Sequence, residues 1–168
     1  MEGVPVALGV LDNLLETRPA DTSEALLQRT RLLGYLLRRA CSGEADQNRV
    51  HCAEMLSVLL QQQPDARDAV AGRGRASDCA GGEDGVDRLL RACAAWRKRD
   101  PEGGLEEECC ANLFMCLSNV VRSRAARTSF RRLQGVELMV RLLRSRMFTL
   151  HAAARVLSFA LDGSRSSC

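Results

Sequence analysis

The chain has 168 residues, 46% of them apolar but only 4% aromatic, so Leu, Val, Ala and Cys must fill its core. Charged residues make up 27% and nearly cancel to a net +3, which excludes a long acidic or basic tail as the dominant feature of what reads as about one domain. No apolar run approaches the ~20 residues of a membrane helix, and the Met1-Glu2-Gly3 start lacks the basic region of a secretion signal, so a soluble intracellular chain is expected.

Helical rather than strand periodicity runs along the whole sequence. Pro5 suits the first turn of a helix over 5–17, which Pro19 follows. Asp21-Thr22-Ser23 reads as a capped start before Glu24 and a helix over 24–41. Two further helices are expected at 45–62 and, opened by Pro64, at 64–71. Gly72 to Gly82 is rich in Gly, Arg and Ser and reads as an exposed insertion loop. Helices follow at 84–99, 105–122, 124–133, 135–146 and 148–161. Glu106-Glu107-Glu108 set negative charge on the positive end of a helix dipole, and Trp96-Arg97-Lys98-Arg99 sets cations at a negative end. Arg131-Arg132 before Gly135 marks a helix end and a restart.

Internal repetition is the most informative feature. One motif occurs four times: Val10-Leu11-Asp12-Asn13-Leu14-Leu15, Met55-Leu56-Ser57-Val58-Leu59-Leu60, Cys116-Leu117-Ser118-Asn119-Val120-Val121 and Val156-Leu157-Ser158-Phe159-Ala160-Leu161. The steps between copies are 45, 61 and 40 residues, the long one containing the 72–82 insertion and the Gly103-Gly104 linker. A second motif, spaced i, i+3, i+4, i+7, precedes three copies: Leu33/Leu36/Leu37/Ala40, Val86/Leu89/Leu90/Cys93 and Val136/Met139/Val140/Leu143. Each unit is thus an amphipathic helix followed by one that is apolar on more than one face, and the latter must be sandwiched between layers. Units of about 40–47 residues with two or three helices indicate an all-α, armadillo/HEAT-like, right-handed superhelical solenoid. The expected organisation is a partial repeat at 1–20, repeats at about 21–71, 83–122 and 123–162, and the loop at 72–82. A solenoid needs polar outer caps, and the helix over 5–17 begins mid-repeat, so a fragment of a longer protein is expected.

Few residues have the spacing of catalytic or metal chemistry. His51 and Cys52 are adjacent, and side chains about 100° apart on a helix do not meet at one ion. His51 and Glu54 share a face at i, i+3 but lack a second close His/Cys pair. His151 has no acidic or nucleophilic partner nearby in sequence, and Gly72-Arg73-Gly74 follows no strand, so it is not a phosphate loop. The eight cysteines include no Cys-x-x-Cys pair, and four of them sit in apolar helical patterns, so reduced packing thiols are expected. No catalytic residue, metal, cofactor, membrane or small-molecule substrate is expected.

Arginine dominates the basic residues, Lys98 being the only lysine. Residues 1–100 carry 14 basic and 15 acidic groups and residues 101–168 carry 10 and 6, so the second part holds the excess. Its cluster of Arg122, Arg124, Arg127, Arg131 and Arg132 is the candidate patch for a nucleic acid or an acidic partner. Six aromatics in the whole chain offer little stacking platform for single-stranded RNA, so this reading is not favoured.

Leu117-Ser118-Asn119-Val120 resembles the third-helix signature of armadillo repeats, and Leu11-Asp12-Asn13-Leu14 matches it in part. In that fold the Asn hydrogen-bonds an extended peptide, which makes Asn13 and Asn119 candidate peptide contacts, with Glu16 and Glu54 facing basic side chains. The alternative for each Asn is an amide satisfied within the repeat stack. Gly9 and Met115 replace the Trp usual four residues before the Asn, so the ladder is incomplete. The segments Val10-Leu11-Asp12-Asn13-Leu14-Leu15-Glu16-Thr17-Arg18-Pro19, His51-Cys52-Ala53-Glu54-Met55-Leu56, Gly85-Val86-Asp87-Arg88-Leu89-Leu90, Lys98-Arg99-Asp100-Pro101 and Gly135-Val136-Glu137-Leu138-Met139 come in the order of one family. Together they resemble the beta-catenin-like protein 1 family, nuclear armadillo-type proteins associated with the spliceosome, across roughly residues 6–162. The resemblance implies a nuclear, non-enzymatic scaffold in pre-mRNA splicing that binds basic or nuclear-localisation-signal-like segments of splicing-complex proteins. An RNA-binding module and an adaptor for nuclear localisation signals are the alternatives.

Overall fold

Ten α-helices and a short 3-10 turn carry the chain through the residues described by the computed structural model, namely 3–27, 31–72, 84–145 and 148–162. Apart from Gly72, the expected 72–82 loop lies outside them. The helices are α1 (Gly3–Thr17), α2 (Pro19–Leu27), α3 (Arg31–Ala40), α4 (Gln47–Gln62), α5 (Pro64–Val70), α6 (Gly85–Ala94), α7 (Gly104–Val120), α8 (Arg124–Arg132), α9 (Gly135–Ser145) and α10 (Leu150–Asp162). They fall into triplets: α2-α3-α4, α5-α6-α7 and α8-α9-α10, with α1 in the place of a third helix. The short α5 packs against both α4 and α7.

Local chemistry starts four of these helices. Asp46 caps α4 by accepting from Arg49 N at 2.8 Å, and Asp84 caps α6 by accepting from Val86 N at 3.0 Å. Ser123 caps α8, and Pro64 occupies the first turn of α5, where its missing N–H costs nothing. Pro19 follows the end of α1 at Thr17, as expected, and also begins α2, so Asp21-Thr22-Ser23 lie inside a helix rather than capping one; over the expected helix 24–41 the described residues give α2 and α3. The helix expected over 84–99 likewise ends at Ala94, and the 3-10 turn over Ala95–Arg97 tucks Trp96 into the core.

The four motif copies form the spine. α4 packs between α1 and α7, and α7 between α4 and α10, while α3, α6 and α9 each lie against the third helix of their own triplet. The spine helices are buried on several faces, as their composition requires: Cys52, Ala53, Met55, Leu56, Leu59 and Leu60 on α4, and Cys110, Leu113, Phe114, Cys116, Leu117 and Val120 on α7. Each large side chain so buried is worth roughly 1.5–3 kcal/mol, gained only because a neighbouring helix covers it. Two side chains of α7, one turn apart, fix its register on α4. Cys116 Sγ donates to Ala53 O at 3.3 Å, and Asn119 Nδ2 donates to Ser57 O at 3.0 Å.

Candidate functional site

Three spine helices bring their carboxylates to one face. On α1, Asp12 is buried and Glu16 is exposed; on α4, Glu54 is half-buried; Glu108 stands exposed in the first half of α7. Burial pushes the Glu54 carboxyl above its ordinary range, and the charges of Asp12, Glu16 and Glu108 push it the same way, against the opposing pull of His51. Glu54 is therefore the centre of a cluster of like charge drawn from residues 12, 16, 54 and 108. Beyond it the same exposed stripe of α4 continues through half-buried Val58 to Gln61, and that of α7 through Asn112 and Met115. This face is acidic at one end and mixed apolar and amide in its middle.

The anchor of the cluster is His51, which sequence spacing leaves without a partner. Its Nδ1 lies 2.8 Å from Asp12 Oδ2, across 39 residues of chain, and its Nε2 lies 3.4 Å from Gln47 Nε2, one turn back on α4. Donor atoms of Asp12, His51 and Glu54 all lie within 4.8 Å of one another. The missed residue is Asp12. Its position in the first motif copy, aligned with Ser57 and Ser118, was visible, but nothing local shows that the position points at α4.

The other expected residues separate. Asn13 is exposed on α1, whereas Asn119 is only 3% exposed and its amide is spent on Ser57 O. The two amides do not share a surface. Glu16 and Glu54 do come together, close enough for the charge of one to bear on the other.

The five arginines of the second part do not form one free patch. Arg127 Nη1 donates to Arg122 O at 2.8 Å and to Val121 O at 3.3 Å, satisfying carbonyls of the turn that follows α7. Arg131 Nη2 reaches Ala160 O at 3.4 Å, and Arg132 pairs with Asp84 at 2.8 Å. Arg122 lies over the Phe159 ring, 5.6 Å from its centroid, and Arg124 is exposed at the start of α8. Arg67 performs for α4 the office of Arg127 for α7, donating to Leu60 O and Gln61 O at 2.5 and 2.6 Å. These guanidiniums are largely structural.

His151 is exposed at the start of α10, and most of the thiols are buried. Among the described residues, Cys52, Cys93, Cys109, Cys110 and Cys116 are buried and Cys41 is half-buried, all free thiols. Burial pushes Cys41 and Cys110 up to about 12 and Cys52 to about 11, which keeps them protonated and unreactive. A cleft of about 1210 Å³ opens between the 41–49 turn, α6 and the 99–106 linker, lined by charges of both signs. Among the described residues no helix is long and apolar enough to cross a membrane.

Comparison with known proteins agrees with the architecture. A family model described as catenin-beta-like, Arm-motif containing nuclear, matches residues 1–168. The chain is 30% identical over 163 residues to beta-catenin-like protein 1 of Rattus norvegicus and 29% identical to that of Homo sapiens, covering 96% of this chain and 27% of each relative. It is 28% identical over 167 residues to the beta-catenin-like protein 1 homolog of Schizosaccharomyces pombe, covering 98% of this chain and 28% of that protein. The chain thus spans little more than a quarter of the length of these relatives.

Proposed function

The chain belongs to the catenin-beta-like family of Arm-motif containing nuclear proteins, and from that premise we propose that it is a non-enzymatic protein-interaction scaffold of the nucleus, acting in pre-mRNA splicing. Its ligands are basic segments of splicing-complex proteins, held on the acidic face of α1, α4 and α7. The observation that carries this reading is the gathering of Asp12, Glu16, Glu54 and Glu108 from three spine helices at one place, with Glu54 raised first by burial and then by these like charges. Like charges assembled at a cost to the fold are what a cationic ligand relieves. Glu16 and Glu54 contact Arg or Lys side chains, exposed Asn13 flanks them on α1, and Asn119 supports the face from beneath.

RNA binding through the arginine-rich part has less support, because Arg127, Arg131 and Arg132 already bond to the protein. Fluorescence anisotropy of an Arg/Lys-rich peptide, with single-stranded RNA as competitor, separates the readings. Saturable peptide binding that RNA does not displace, and that Glu16→Gln with Glu54→Gln weakens by about tenfold, is the expected result for desolvated charge pairs worth roughly 1.5 kcal/mol or more. Tight, steeply salt-dependent RNA binding without peptide binding would move the function to the arginines.

A further inference from the structure

Outside any role in peptide binding, the convergence of Asp12, His51 and Glu54 has the chemistry of a metal site. From it we infer that the chain binds one divalent transition-metal ion between α1 and α4, ligated by Asp12 Oδ2, His51 Nδ1 and a Glu54 carboxylate oxygen.

The donor set is one imidazole and two carboxylates, which suits borderline ions such as Zn²⁺, Co²⁺ or Mn²⁺. Bonds of about 2.0–2.2 Å to N and O ligands put neighbouring ligand atoms roughly 3–3.4 Å apart around an ion. Asp12 Oδ2 and His51 Nδ1 already stand 2.8 Å apart, so they part by only a few tenths of an ångström to admit it. The set spans at most 4.8 Å, and Glu54, half-buried with rotatable bonds, closes the remainder by moving its carboxylate inward.

Two features go beyond a gathering of acids. The imidazole is held in place by the fold: Asp12 reaches His51 from another helix, and Asp12 itself is only 8% exposed. The ring's other nitrogen, Nε2, faces the Gln47 amide at 3.4 Å. A ligating His generally gives its second N–H to an oxygen, and rotation of the Gln47 amide presents Oε1 at that position. In the bound state the Nδ1 lone pair goes to the ion and the single N–H of the neutral ring sits on Nε2.

His51 separates this inference from peptide recognition, since an imidazole ligates a metal but offers no negative charge to a basic segment. The test is a Co²⁺ titration of the full chain without peptide, followed by calorimetry and visible absorption. One equivalent of Co²⁺ should bind with d–d bands and no thiolate-to-metal charge-transfer band. His51→Gln should abolish this binding while leaving helicity in place. Gln47→Ala, which removes only the outer support of the ring, should weaken it about tenfold. Absence of binding at millimolar Co²⁺, a thiolate charge-transfer band, or undiminished affinity in folded His51→Gln overturns the inference.

Discussion

Glu54 and Asn119 show how one residue's environment decides between binding and folding. A carboxyl whose pKa is raised on folding holds its proton more tightly than in the unfolded chain. Its contribution is therefore complete below the unfolded value of 4.5 and is lost as pH rises through the folded value. At neutral pH the Glu54 charge opposes folding. In metal-free protein, Glu54→Gln is expected to raise Tm at pH 7, to change it little at pH 4, and to weaken basic-peptide binding, a combination that marks a binding residue rather than a packing one. Thermal melts at both pH values with one binding isotherm check this. Asn119 behaves in the opposite way. Removing its buried amide in Asn119→Ala strips the bond to Ser57 O, and a loss of about 1–3 kcal/mol is expected in urea unfolding, with peptide affinity within about twofold of the parent. The motif around Asn119 was legible in the sequence, but the side a helix presents to its neighbour is a fact of packing.

At the scale of the element, two glycines and one linker make the triplets turn correctly. Gly85 and Gly135, recognisable as the starts of two second-motif copies, stand where a first helix comes closest to a second. A Cβ on Gly85 would lie 2.6 Å from Val70 O and 2.9 Å from Leu37 Cδ2, and one on Gly135 would lie 2.5 Å from the Phe130 ring. Backbone cannot yield as a side chain does. Gly85→Ala is therefore expected to cost about 1–3 kcal/mol and more than Gly135→Ala, as read from paired denaturation midpoints. The linker into α7 is held by Glu106, whose carboxylate accepts from Arg99 at 2.6 and 2.7 Å and from Glu102 N at 2.7 Å. The Arg99 hydrogen bonds, then that of the Glu102 amide, hold Glu106 down at about 2, well below the ordinary 4.5. A depressed carboxyl supports the fold above its unfolded value and ceases to as pH falls through the folded one. The wild type is thus expected to lose stability between about pH 5 and pH 2 by a component that Glu106→Gln lacks, visible as a flatter acid limb. Glu106 was identified in the sequence as a helix-dipole partner; its pairing with Arg99, seven residues back, required the turn after Trp96.

For the whole molecule, stability resides in the spine. Each unit contacts its neighbours, so a cavity in the central α4–α7 layer is felt on both sides, whereas a change at an outer helix is local. Leu117→Ala, at a fully buried site on α7, is expected to cost about 2–5 kcal/mol. Leu161→Ala, at a half-exposed position near the end of α10, should stay within about 0.5 kcal/mol in the same urea titration.

What the sequence by itself determined is the architecture and the family: apolar positions recurring at helical spacing, and a motif recurring four times, admit a stack of helical units and little else. Most helix starts followed, because residues such as Pro64 act through neighbours along the chain. What only the tertiary structure decided is every relation across units. The meeting of Asp12 with His51, the burial of Asn119 and the diversion of Arg127, Arg131 and Arg132 into structural bonds all depend on which helix faces come together. That choice is made by packing over tens of residues, where local propensity and spacing carry no information.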